Sequence, residues 1–128
     1  MVYSEKVLDH FMNPRNVGSF DEQKTNVGTG IVGALEYGEM MRLQIEIEVK
    51  SGLIKNAKFK TYGCGSAIAC TSFATEWLIG KRLTQAAMLQ SMEIVDALTL
   101  PRTKIHCAVL VKEVIQMAIV DYQRKNKK

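Results

Sequence analysis

Met41-Arg42-Leu43-Gln44-Ile45-Glu46-Ile47-Glu48-Val49-Lys50 alternates apolar and polar residues without a break. Successive side chains of a β-strand point to opposite faces, so this stretch predicts a strand with one buried face and one wet face. Ser51-Gly52 then supplies a turn, and Ile54 to Tyr62 returns with Ala57 and Phe59 inward against Lys58 and Lys60 outward. Upstream, Gly28 to Tyr37 reads as a third strand, glycine-interrupted and therefore twisted or at an edge, broken by Gly38. Three consecutive strands joined by short turns predict an antiparallel meander.

Outward from the meander the period changes. From Ser66, the residues Ile68, Thr71, Phe73, Ala74, Trp77 and Leu78 share one helical face, and Gly80 is a natural stop. Thr84 and Ser91 can each cap a short helix, ending near Leu89 and Leu98, before Leu100-Pro101 interrupts the chain. A final helix is expected from about Thr103 to Arg124, with Ile105, Ala108, Val111, Ile115, Ala118, Ile119 and Tyr122 as its apolar stripe. On the N-terminal side, Ser4 can cap a helix whose apolar face is Val7, Leu8 and Phe11, stopped by Asn13-Pro14. Residues 13–30 read as an irregular, exposed connection. Strands first and helices afterwards give an α+β fold: a three-stranded antiparallel sheet with helices packed on one face. The 128 residues form a single domain, without internal repeat or linker.

Composition narrows the function. The apolar and charged fractions, 47% and 23%, are those of an ordinary globular protein. No apolar run approaches the roughly 18–20 residues that span a bilayer. The N-terminus, Met1-Val2-Tyr3-Ser4-Glu5-Lys6, has neither a signal core nor an Arg-rich transit pattern, so the expected location is the cytoplasm, away from membranes. The net charge of +4 owes much to Arg124, Lys125, Lys127 and Lys128, and no aromatic-basic interleaving points to nucleic acid. Three cysteines, at positions 64, 70 and 107, make no disulfide framework. Metal or sulfur chemistry is the alternative.

That chemistry centres on Thr61-Tyr62-Gly63-Cys64-Gly65-Ser66-Ala67-Ile68-Ala69. The glycines leave the thiol without bulky neighbours at a strand-to-helix turn, and a helix N-terminus favours the thiolate. A buried structural cysteine would also fit there. His106-Cys107, in the expected first turn of the final helix with Lys104 beside them, adds a second thiol and an imidazole. Cysteine, histidine and carboxylate are the ligand types of zinc and iron. Cys70 is not part of this set. Within a helix it is turned by roughly 240° and raised by about 9 Å from Cys64, which makes it a core residue pointing away.

The glycine-flanked Cys64 stretch and Lys104-Ile105-His106-Cys107 resemble the two best-marked motifs of the IscU-type iron–sulfur cluster assembly scaffolds, the family of NifU N-terminal domains. The resemblance extends to Tyr3-Ser4-Glu5-Lys6-Val7, to Asn13-Pro14-Arg15-Asn16-Val17-Gly18 and to Thr75-Glu76-Trp77, and so covers nearly the whole chain. It implies a small α+β scaffold, not an enzyme, that receives sulfur from a cysteine desulfurase and iron from elsewhere. The scaffold builds a transient [2Fe–2S] cluster and passes it to apo iron–sulfur proteins. A DnaK-type chaperone and its J-protein assist, and a frataxin-like protein and a ferredoxin are further implied partners. Family sites use three cysteines, an aspartate and the histidine, and often hold zinc when no cluster is present.

Carried over residue by residue, Cys64, His106 and Cys107 match. At the end of the first strand, Tyr37 stands where the family has its first cysteine and Glu39 where it has the aspartate. A phenol with a pKa near 10 is a poor thiolate substitute, whereas Glu39 keeps the carboxylate one methylene longer. The chaperone-recognition loop, Leu-Pro-Pro-Val-Lys in the family, reads Leu100-Pro101-Arg102-Thr103-Lys104. The expected site is therefore Glu39, Cys64, His106 and Cys107, holding zinc, iron or a cluster, with Cys107 accepting persulfide sulfur. The alternative is a zinc-binding paralogue that builds no cluster and occupies the desulfurase.

Overall fold

The computed structural model describes residues 3–34 and 38–126. In chain order these form α1 (Glu5–Met12), β1 (Val27–Ala34), β2 (Glu39–Ile47), β3 (Ile54–Tyr62), α2 (Gly65–Leu78), α3 (Leu83–Ala87), α4 (Ser91–Leu98) and α5 (Ile105–Lys125), with a 3₁₀ turn at Arg102–Lys104. The sheet is the expected antiparallel meander, in the order β1-β2-β3. β3 has the bounds the alternation implied, and Leu43 faces Phe59 while Ile45 faces Ala57 across the β2–β3 ladder. β2 is shifted toward the N-terminus relative to its apolar pattern. It ends at Ile47, with an irregularity between Glu46 and Ile47, so Val49 falls in the turn and is 81% exposed rather than inward. β1 ends at Ala34 among the described residues, and the proposed strand end at Glu36 and Tyr37 lies outside them.

α5 packs across β1 and β2, and α2 covers β3. The seat of α5 explains the β1 glycines. A Cβ on Gly28 would stand 2.1 Å from the Ala118 carbonyl oxygen, and one on Gly30 would stand 2.3 Å from that of Val114. Only a residue without a side chain lets helix and strand backbones approach so closely.

The other sheet face is not simply wet. The connection between α1 and β1 crosses it: the Phe20 N–H donates to Gln44 Oε1 at 2.7 Å, and the Lys58 ammonium lies 4.9 Å over the Phe20 ring. Gln44 was expected on the solvent side but is 1% exposed. Its burial is tolerated because its amide nitrogen also donates to Thr29 Oγ1. Both sheet edges are occupied as well. Val17 bridges to Phe59 on the β3 side, and Asp121 Oδ2 accepts the outward N–H of Thr29 on the β1 side.

α1 starts at the expected cap, where the Val7 N–H donates to Ser4 Oγ. Its inward face, however, is Val7 and His10, while Leu8 and Phe11 are exposed. His10 replaces them because Ser72 on α2 offers its ring nitrogen a partner at 2.8 Å. α2 is buried nearly all round, not along one stripe, which its run of alanine, serine, threonine and Cys70 permits. Two of its hydroxyls turn back onto the helix, Thr71 Oγ1 donating to the Ala67 carbonyl at 2.6 Å and Thr75 Oγ1 to that of Ser72 at 2.7 Å. The caps of α3 and α4 are Arg82 and Gln90, in place of Thr84 and Ser91. The Arg82 N–H is satisfied by Gln85 Oε1, and Ser91 is the first residue inside α4. α5 carries the expected apolar stripe, extended by Cys107 and Val114.

Candidate metal and sulfur site

The end of β3 and the start of α2 are joined by Gly63, whose φ of +147° few L-residues adopt. The same glycine lies against Glu39: a Cβ there would stand in ordinary contact, 3.4 Å from Glu39 Cγ. Cys64 follows as the N-cap of α2. Its carbonyl receives the Ala67 and Ile68 N–H groups, while its thiol takes no part in capping. The thiol meets Cys107 instead, Sγ to Sγ, at 3.9 Å. Cys107 is the third residue of α5, reached through the extended Pro101 and the 3₁₀ turn. His106 is exposed, with Nε2 3.7 Å from the Cys107 sulfur.

Three of the four expected site residues are thus linked through Cys107. Glu39, half-buried at the start of β2, is near enough for its charge to bear on Cys107. Among the described residues no three His, Cys, Asp or Glu side chains form a ready-made metal cage. The arrangement is a thiol pair with an imidazole and a carboxylate at its rim. Tyr37 lies outside the described residues.

The thiols fit a soft metal. Two sulfurs bound tetrahedrally to one zinc ion at about 2.3 Å stand about 3.8 Å apart, close to the spacing seen here. At Cys107, protonation differs from what a helix N-terminus alone would favour. Burial, reinforced by the neighbouring Cys64 and by Glu39, pushes the Cys107 thiol up to about 12, and Lys104 opposes this only in part. Desolvation outweighs the helix end because Cys107 is 1% exposed. Cys70 is in the core, as expected, and burial raises its thiol too. The charges of Cys107 and Cys64 reach it, so it lies behind the site and not remote from it.

The sequence did not reveal that Gly63 lies against Glu39. Nor did it place Phe11, whose ring lies against Gly65 beside the first thiol. The Phe11 position in the α1 apolar pattern was visible, but its partner was not.

A family model described as the NifU-like N terminal domain matches residues 2–128. The chain belongs to this family. It is 53% identical over 125 residues to the iron-sulfur cluster assembly scaffold protein IscU of Haemophilus influenzae, covering 98% of both chains. The identity to the protein of that name from Escherichia coli K12 is also 53%, over 98% of this chain and 97% of the relative. Among solved structures, the N-terminal part of a nitrogen-fixing NifU-like protein from Brucella abortus superimposes with a TM-score of 0.63 at 15% identity. That match covers 95% of this chain and 94% of the other, and shows a shared fold. Among the described residues no helix is long and apolar enough to cross a membrane.

Proposed function

We propose that this chain is an iron–sulfur cluster assembly scaffold. Iron and sulfide are its cargo, assembled into a transient [2Fe–2S] cluster and passed to apo-proteins. The observation that carries this reading is the Cys64–Cys107 pair, 3.9 Å apart at the starts of two helices with His106 beside it. Its relationship to the IscU scaffolds supports the same role.

In this reading a cysteine desulfurase supplies sulfur as a persulfide. The Cys107 thiolate attacks the outer sulfur, the desulfurase leaves as its thiolate, and Cys107 carries the persulfide. Two electrons, from a ferredoxin, then reduce the transferred sulfur to sulfide. Cys64, Cys107, His106 and Glu39 hold the iron, a frataxin-like protein tunes the process, and no chemical turnover of a small substrate is involved. The segment Leu100–Lys104 is the handle for a DnaK-type chaperone and its J-protein, and Lys104 is the N-cap of the helix that carries Cys107. Arg102 and Thr103, where the family has proline and valine, weaken that coupling.

One observation favours a second reading, a zinc-holding regulator of the desulfurase. Glu39 places a hard carboxylate beside the two thiols, a set that zinc accepts. Anaerobic reconstitution with iron, cysteine and a desulfurase separates the two. Visible absorption of a cluster supports the scaffold, whereas bound zinc with no cluster supports the regulator.

A further inference from the structure

α5 presents an outer face that no other element covers among the described residues. Val109, Glu113, Gln116, Met117, Val120 and Arg124 are all exposed, and their spacing of three and four residues draws one straight stripe along the helix. Met117 and Val120 are 46% and 60% exposed, and they form the middle of a shallow groove bounded by Glu113, Gln116, Asp121 and Arg124. An acid at one end, two apolar residues in the centre and a base at the other end is a self-complementary order. Laid antiparallel on a copy of itself about a two-fold axis, the stripe sets Glu113 against the copy's Arg124. The same operation sets Met117 against the copy's Val120, and Gln116 against its Asp121. Each contact then occurs twice, as an isologous interface requires.

From this order we infer that the α5 outer face is a homodimer interface, whose occupant is a second copy of this chain. Charge complementarity selects the copy, because the stripe satisfies itself without an outside partner. Within one chain the Arg124 guanidinium pairs with Asp121 Oδ1 at 2.7 Å, on a side chain that is 77% exposed. It can turn to the copy's Glu113 without orphaning Asp121, because the Thr29 N–H and Lys125 still hold that carboxylate at 2.9 and 3.4 Å. Contact along three turns of one helix buries less than the roughly 1,200 Å² of stable complexes, so the dimer is weak and concentration-dependent.

The geometry also states what the dimer does not do. With the axis midway between positions 113 and 124, each Cys107 lies about 17 Å along the helix from the centre, at 1.5 Å per residue. The two thiol pairs therefore stand about 35 Å apart at opposite ends, each open, and share no ion. The inference is independent of the cluster-assembly reading, since it invokes no metal and no thiol.

The test is sedimentation equilibrium of the full chain with a chelator present, from about 10 μM to about 1 mM, a range suited to small interfaces. Monomer–dimer behaviour weakened by added salt is expected. Glu113→Arg and Arg124→Glu should each weaken association at least tenfold by facing like charges, and the double reversal should restore it. Circular dichroism checks that the three variants fold, as exposed positions allow. A chain that stays monomeric to the top of the range overturns the proposal and leaves the stripe to a different partner. Dimerisation that ignores both single reversals, or that the double reversal does not rescue, overturns it as well.

Discussion

Replacing Gly30 by alanine tests how α5 is seated and whether that seat reaches the thiols. The new Cβ would lie 2.3 Å from the Val114 carbonyl oxygen and 2.9 Å from the Ala118 nitrogen. Both are backbone atoms and cannot rotate away, so α5 must lift by about 1 Å to restore ordinary contact. Overpacking of this kind costs about 1–3 kcal/mol, and the stiffer unfolded chain returns about 0.4–1 kcal/mol. A net loss of about 1–2 kcal/mol remains. With an unfolding entropy of about 2.1 cal/mol/K per residue over 128 residues, that lowers Tm by about 4–8 °C. Cys107 lies on the same helix about 10 Å from the contact, so the thiol pair opens and zinc affinity falls about tenfold. Thermal denaturation followed by circular dichroism, together with zinc competition against a chromogenic chelator, reads both effects. An unchanged or raised Tm with undiminished zinc affinity would refute the close seating of α5 on β1.

Removing both thiols by Cys64→Ala with Cys107→Ala should abolish zinc and iron in the purified protein, measured by elemental analysis; full retention would place the metal elsewhere. Tyr37→Cys should raise the yield and lifetime of a reconstituted cluster under chelator challenge, because it restores a soft thiolate. Cys70→Ser should leave that lifetime unchanged while costing about 1–3 kcal/mol in denaturant unfolding, since it puts a hydroxyl in the core. Burial first, and Arg15 next, hold the His10 pKa below its usual value, against the opposing charges of Glu76 and Asp9. Its contribution to stability is therefore complete above about pH 6.5, the unfolded value, and is lost as pH falls below it. Urea titrations at pH 7.5 and 5.5 should show that loss, and His10→Gln should reduce the difference between the two.

The legible parts of the fold were those decided by near neighbours in sequence. β3 could be bounded at both ends because a turn glycine precedes it and its side chains alternate. The Ser4 cap and the α5 stripe were readable for the same reason. What escaped depends on residues far apart in the chain. The β1 glycines look like weaknesses until α5 lies on them, and Gln44 looks solvated until Phe20 and Thr29 bond its amide. At the site, the residue types and their motifs were visible, but no spacing rule brings Cys64 to Cys107. The local rule that helix starts favour thiolates was valid as far as it went, and at Cys107 burial outweighed it.

The two thiols also close a ring. They are 43 residues apart, and the chain between them contains α2, α3 and α4. An ion held by both would act as a removable crosslink, restricting the unfolded chain by up to about 4 kcal/mol on the loop-closure estimate for a covalent bridge. Reciprocity then makes affinity for cargo and resistance to unfolding two readings of one free energy. A scaffold built this way need not break metal–sulfur bonds one by one to unload. Any agent that draws the start of α5 away from the start of α2 lowers affinity directly, and the departing ion leaves behind a chain that is easier to open.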